Sequence, residues 1–185
     1  MVNKIVAFDF DNTLTKFNVS SNVMVLQNSG VNDVNMIISI LEMKYGLNNI
    51  FSDLMNNMYF ANYLRLEKKI GTIFVIVTYG YKEVIKALLK RRGIYDIFSA
   101  IYTPIDFGLS EGYDHFKSLN GKNRMLEKAK HDFNNTVKND KILLIDDNKK
   151  NVDSANYCGY KTIYVISNDG INFDNIDSIE EFIKK

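Results

Sequence analysis

Polar and apolar positions along this chain fall into blocks of two different periods. Five short runs, at 4–8, 72–77, 99–103, 141–145 and 161–166, are largely β-branched or apolar and have the length of a buried strand. Between them, apolar residues return at helical spacing: Val84, Ile85, Leu88 and Leu89; then Met125, Leu126, Ala129 and Phe133; then Val152, Ala155 and Cys158, with Gly159 as the stop. Runs that are apolar on both faces suit a parallel sheet covered on both sides, and the alternation of strand and helix predicts right-handed crossovers. The expected fold is α/β, a three-layer doubly wound domain around a parallel sheet.

The alternation lapses once. Residues 17–69 carry Val34, Ile37, Ile38 and Leu41, and later Leu54, Met55, Met58 and Tyr59, at helical spacing. This stretch is expected to be a small helical insertion after the first strand, its apolar stripes packed rather than displayed, placed over the carboxyl ends of the strands. Residues 178–185 predict a short closing helix with Ser178 as its N-cap. With 185 residues, 46% of them hydrophobic, the chain can bury one full-sized core. Residues 1–185 are therefore read as a single domain, with 17–69 as an insertion or small cap within it.

Charge narrows the functional classes. Lys+Arg 23 against Asp+Glu 22 leaves a formal net charge of +1, which gives no global attraction to nucleic acid or to an anionic membrane. The densest basic group, Lys90, Arg91 and Arg92, ends a predicted helix, where cations complement the helix dipole. A single cysteine, Cys158, excludes an internal disulfide and suits a reducing compartment. Asp9 and Asp11 interrupt the first apolar stretch, which argues against a secretory signal, and no apolar run approaches the roughly 18 residues of a membrane helix. The expectation is a soluble, cytoplasmic protein with no membrane partner and no clear nucleic-acid surface.

Candidate chemistry lies where the strands end. Asp9 and Asp11 are two positions apart after the first run, so along a strand they point the same way and concentrate negative charge at the sheet's carboxyl edge. Such a pair calls for a cation, and a hard ion with oxygen ligands, Mg2+, is the natural partner. Thr78 closes the run 72–77, Lys122 opens a helix after Gly121, and Asp146 with Asp147 closes the run 141–145. Singly, each has an ordinary alternative role; Thr78 or the Asp146, Asp147, Asn148 group can cap a helix. In a parallel sheet, however, every carboxyl end faces one crevice, so the four features converge. The set then holds a nucleophilic carboxylate, a second carboxylate to move a proton, a hydroxyl and an ammonium for phosphate oxygens, and further carboxylates for a metal.

On these residues the chain resembles the haloacid dehalogenase (HAD) superfamily, in its phosphatase branch. Asp9, Asp11 and Thr13 match the first motif, and Thr78, in Ile76-Val77-Thr78-Tyr79-Gly80, matches the second. Lys122, in Gly121-Lys122-Asn123, matches the third, with Lys117 as the other candidate. Asp146 and Asp147 match the fourth, and Asn151, Val152, Ala155 and Gly159 continue its pattern. The motifs stand in family order and cover 4–8 and 71–166. The resemblance implies a sheet of order 3-2-1-4-5, which sets the first strand between those ending in Thr78 and Asp146.

The resemblance also implies a Mg2+-dependent phosphomonoester hydrolase working through an aspartyl-phosphate intermediate. In that scheme Asp9 is the nucleophile, Asp11 the general acid and base, and Thr78 and Lys122 hold phosphate. The metal lies on Asp9, the Asp11 backbone carbonyl and Asp146, with Asp147 nearby, and Thr13 supports the loop. Asp11 favours a phosphatase over a dehalogenase, since a phosphoester must have its leaving group protonated. The 44 positions from Thr78 to Lys122 leave no room for a large cap there. An open site would admit a phosphoprotein, phosphotyrosine included, or another accessible phosphomonoester; an insertion closing as a lid would favour a small molecule. The open site is the expectation, with Phe17, Tyr79 and Tyr81 as aromatic residues near its entrance. The rival readings are a phosphoryl-accepting signalling module and an inactive phosphate-binding protein on the same fold.

Overall fold

The computed structural model describes residues 4–110, 120–166 and 168–185. Its five parallel strands are β1 (Lys4–Phe8), β2 (Thr72–Val77), β3 (Ala100–Tyr102), β4 (Ile142–Asp146) and β5 (Lys161–Tyr164). They form one sheet in the order β3-β2-β1-β4-β5. The register runs from Lys4↔Thr72 to Phe8↔Ile76 on one side of β1 and from Ile5↔Ile142 to Phe8↔Ile145 on the other. Three strands thus end level with one another, and the residues that follow them emerge side by side.

The described helices are α1 (Val19–Asn28), α2 (Val34–Tyr45), the four-residue α3 (Leu47–Ile50) and α4 (Asp53–Asn56), and α5 (Met58–Lys69). They continue with α6 (Lys82–Arg92), α7 (Gly121–Phe133), α8 (Lys149–Tyr157) and α9 (Ile176–Lys184). Strand side chains alternate between two buried layers. Val6, Phe8, Phe74, Ile76, Leu143 and Ile145 face a core shared with α5, α6 and α9, while Ile5, Ala7, Val75, Val77, Ile142 and Leu144 face α7 and α8. Phe8 and Phe74 are fully buried, and each such side chain contributes about 1.5–3 kcal/mol relative to exposure.

Two expectations about the carboxyl-terminal part change. The last strand stops at Tyr164 rather than 166, because it pairs only with β4 and its final partner, Asp146, is where β4 ends. Ile166 is exposed. Ser178 does not cap the closing helix, which starts two residues earlier. A single 3-10 turn, Phe173–Asn175, leads into α9, and Asn172 caps that turn by accepting the N–H of Asp174.

In the stretch 17–69, α5 lies against β2 and forms the crossover from β1. The α2 helix packs on α6, and Ile37, Ile38 and Leu41 of α2 join the same core as Val84, Ile85 and Leu88. The basic end of α6 fastens this contact. Arg91 reaches Glu42 of α2 at 3.2 Å, and Arg92 donates to the side chain and the carbonyl of Asn56, each at 2.8 Å. Phe17 stacks on Tyr45 with ring centroids 4.3 Å apart, so it is a packing residue of this region. Among the described residues no helix is long and apolar enough to cross a membrane.

Candidate active site

β1 delivers Asp9 between β2 and β4, and its N–H bonds the Ile145 carbonyl at 2.8 Å. One oxygen of the Asp9 carboxylate accepts from the N–H of Phe10 at 2.7 Å and from Lys122 Nζ at 2.6 Å. Lys122 stands in the first turn of α7 and reaches inward until it is 2% exposed. Its ammonium also donates to the Val77 carbonyl at 2.6 Å and lies 3.1 Å from Asp146 Oδ2. Burial alone would depress this ammonium, but Asp146 and Asp9 outweigh it and hold its pKa above the ordinary lysine value. The lysine therefore stays charged. Burial drives the Asp9 carboxyl well above its usual range, Lys122 opposes the rise, and Asp146 adds to it.

Carboxylate oxygens of Asp9, Asp146 and Asp147 lie within 4.8 Å of one another. Asp146 is fully buried and oriented by the N–H of Asn148 at 2.8 Å and by the Asn151 amide, 3.1 Å from each of its oxygens. Asp147 accepts from the Asn12 amide at 3.2 Å, and burial, then Asp146, push its carboxyl up. Of these three side chains, Asp9 and Asp146 pair with the Lys122 ammonium. A hard divalent cation suits this all-oxygen set, because it would neutralise the charge that Lys122 leaves unbalanced. The residues present fit Mg2+.

Asp11 stands beside this cluster and not within it. Its oxygens accept the Ser20 N–H at 3.0 Å and the Ser20 hydroxyl at 2.5 Å, at the start of α1. Burial raises its pKa, and the two Ser20 bonds work against that rise. Thr78 is buried, donates its N–H to the Tyr102 carbonyl at 3.0 Å, and accepts the Gly80 N–H on its hydroxyl at 3.1 Å. Asp9, Asp11, Thr78 and Asp147 line one cavity of about 650 Å³, which Tyr79 and Tyr81 also line. The Lys122 ammonium sits 5.2 Å from the centre of the Tyr79 ring, whose hydroxyl burial pushes up to about 12. All four motif positions meet at this pole. Lys117 lies outside the described residues.

Other supporting residues carry little signal in the sequence. Asn12 adopts φ 57°, a left-handed conformation that asparagine tolerates, and so turns its amide to Asp147. The loop's hydroxyl brace is Thr15, which accepts from the Asn12 N–H at 3.2 Å and donates to the Phe10 or Phe17 carbonyl. Thr13 contributes its carbonyl, which accepts the Ile171 N–H at 2.8 Å. Gly170 makes that approach possible: at φ +76°, a Cβ there would lie 2.5 Å from the Thr13 carbonyl oxygen. The start of α1 is visible in the sequence as Asn18 capping Ser21, but nothing local couples Ser20 to Asp11.

No protein-family model matches the chain, and no curated protein matches it by sequence. Solved structures do match it across most or all of its length. The HAD domain of the effector protein Lem4 from Legionella pneumophila, an inactive mutant, is 18% identical with a TM-score of 0.61 over 100% of this chain and 94% of that one. A predicted HAD-like family hydrolase from Porphyromonas gingivalis is 14% identical with a TM-score of 0.58, covering 100% of both chains. A phosphoserine phosphatase in its apo form is 12% identical with a TM-score of 0.52, covering 89% of this chain and 87% of that one. These likenesses are of fold, and together with the β3-β2-β1-β4-β5 sheet they show that the chain has the fold of the haloacid dehalogenase superfamily.

Proposed function

We propose that the protein is a Mg2+-dependent phosphomonoester hydrolase that carries the phosphoryl group on Asp9. The observation behind this reading is the cluster in which Lys122 lies 2.6 Å from Asp9 and 3.1 Å from Asp146, at a cavity that Asp11 and Thr78 also line. The fold alone does not choose among hydrolases. Asp11 does, because a phosphoester needs a proton donor for its leaving oxygen and a base for the attacking water.

Asp9, Asp146, Asp147 and the Asp11 backbone carbonyl would hold Mg2+, which supplies charge neutralisation between the anionic carboxylate and the anionic phosphate. In the first step an Asp9 oxygen attacks phosphorus, the bond to the leaving oxygen breaks, and Asp11 gives that oxygen its proton. In the second, Asp11 takes a proton from water, the water oxygen attacks phosphorus, and phosphate leaves with Asp9 restored. Thr78 offers its hydroxyl to the phosphate oxygens, and Lys122 offsets charge on Asp9 and on the phosphoryl group.

For the substrate, the side of the cavity supplied by the insertion is informative. Asn18, Ser20 and Met24 line the same space as Asp9, so α1 forms a wall beside the nucleophile. A cavity of about 650 Å³ beside the nucleophile has room for a small phosphorylated molecule or for the phosphorylated side chain of a protein. A cytoplasmic setting, consistent with the exposed free Cys158, belongs to the same proposal.

The test is phosphate release from p-nitrophenyl phosphate and from a panel of nucleotide, sugar phosphate, phosphoserine peptide and phosphotyrosine peptide, with Mg2+ and with chelator. Sustained, Mg2+-dependent release that Asp9→Asn abolishes is the expected result. Stoichiometric labelling without turnover would reassign the protein to phosphoryl-accepting modules, and no release from any ester would reject the enzyme.

A further inference from the structure

Asp11, the group assigned to proton transfer, is held by a residue of the insertion rather than by a strand. Ser20 gives it two donors at once, the backbone N–H at 3.0 Å to one oxygen and the hydroxyl at 2.5 Å to the other. Two bonds from one residue fix both the position and the rotation of a carboxylate, as a bidentate donor does. A second, independent feature marks the same spot. Gly80, buried and two residues beyond Thr78, presents a bare Cα to the Ser20 hydroxyl; a Cβ there would collide with Ser20 Oγ and come within 3.4 Å of Thr78 Oγ1. Ser20 is therefore seated between the acid–base carboxylate and the phosphate-binding turn, in space that only glycine leaves open.

We propose that Ser20 is the positioning residue for Asp11, so that the insertion, through the first turn of α1, sets the geometry of proton transfer at the strand ends. This rests on the phosphatase reading above. The competing explanation is that Asp11 only caps α1, in which case losing the bond weakens the helix and touches all substrates alike. The two differ in leaving-group dependence. A well-placed acid matters most when the departing oxygen is basic, and such catalysis is worth about 10²- to 10⁴-fold when complete.

The experiment compares kcat/KM for p-nitrophenyl phosphate and for phenyl phosphate, a poorer leaving group in an ester of similar shape, in wild type, Ser20→Ala, Ser20→Thr and Gly80→Ala, with Mg2+ present. Ser20→Ala is expected to lose about tenfold more on phenyl phosphate than on p-nitrophenyl phosphate, a partial loss of acid catalysis. Ser20→Thr, which keeps both donors, should restore most of it, and Gly80→Ala, which displaces the hydroxyl, should imitate Ser20→Ala. Residual p-nitrophenyl phosphate turnover shows that each variant is folded. Equal losses on both esters, or no loss in Ser20→Ala, would overturn the positioning role while leaving the phosphatase intact. A wild type inactive on both esters would overturn the phosphatase reading and this inference with it.

Discussion

Asp9, at the end of β1, and Asn18, Ser20 and Met24, at α1 and its cap, line one cavity, yet the two regions are held in different ways. Asp9 and Asp146 are buried and both pair with the buried Lys122, three side chains from three separate segments, so that moving the lysine leaves both carboxyl groups without their partner. Asn18, Ser20 and Met24 are uncharged and come from a single helix and its cap, and Met24 is 50% exposed. The first group is over-determined, because each of its members is fixed by contacts from more than one segment. The second can change shape or sequence at small cost to the fold.

The sharpest way to break this contrast is at Asp9. Asp9→Asn should lower turnover by about 10⁴-fold or more, since it removes the group on which the phosphoryl would be carried, measured by phosphate release under saturating ester. An active Asp9→Asn protein would dissolve the distinction between the two regions.

Next comes Lys122→Met, expected to cost about 10²- to 10³-fold in turnover. It should also destabilise the metal-free protein by about 3–5 kcal/mol at neutral pH in denaturant titration, because the buried carboxylates lose their cation. The pH dependence has a definite sign. Burial already holds the Asp9 carboxyl above its unfolded value, and removing Lys122 takes away the attraction that opposed the rise. A carboxyl raised in the folded state destabilises at pH above its unfolded pKa, so the deficit should shrink as pH falls and Asp9 takes up its proton.

The metal site gives a test of intermediate size. At one hundred times its dissociation constant, Mg2+ should stabilise the wild type by about 2.7 kcal/mol in a thermal or denaturant transition, and Asp146→Asn should remove most of that gain.

On the α1 side, Met24→Ala should raise KM by about tenfold for a ligand that fills the outer cavity while lowering kcat less, the signature of lost uniform binding. The smallest effect lies outside both regions. Arg65 holds the Asp96 carboxyl below the usual carboxylate range through a hydrogen-bonded pair at 2.7 Å. Its stabilisation is present above the unfolded carboxylate pKa and fades as pH falls through the depressed one. Because Asp96 is exposed, Asp96→Asn should cost no more than about 1 kcal/mol at pH 7, with activity as in the wild type.

Much of the fold and of the site is legible in the sequence. The bounds of β1 and β2 coincide with the apolar runs 4–8 and 72–77, because a strand buried on both faces is apolar throughout and stops where its residues turn polar. Asp9, Thr78 and Asp146 can be located for the same reason, as the first polar residues at those ends. Lys122 is harder, being one lysine among many until the start of α7 carries it to Asp9. At the sheet edge the apolar run overshoots the strand, since β5 ends with its partner and not with its own hydrophobic residues. Ser178 fails as a cap because Asn172 starts the turn earlier.

The amino-acid order by itself determined the layers, the parallel sheet and which carboxylates and hydroxyl stand at its pole, because those follow from local periodicity and from the geometry every parallel sheet shares, whereas the choice of Lys122 as the ammonium came from the structure. Tertiary structure alone decided that Ser20 grips Asp11, that Asn12 turns to Asp147, that Gly170 lets residue 171 brace the Thr13 carbonyl, and that α2 lies on α6. These are contacts between segments with no shared period. Their pairing is set by how whole elements fill space against each other, and a single residue's type does not encode its partner.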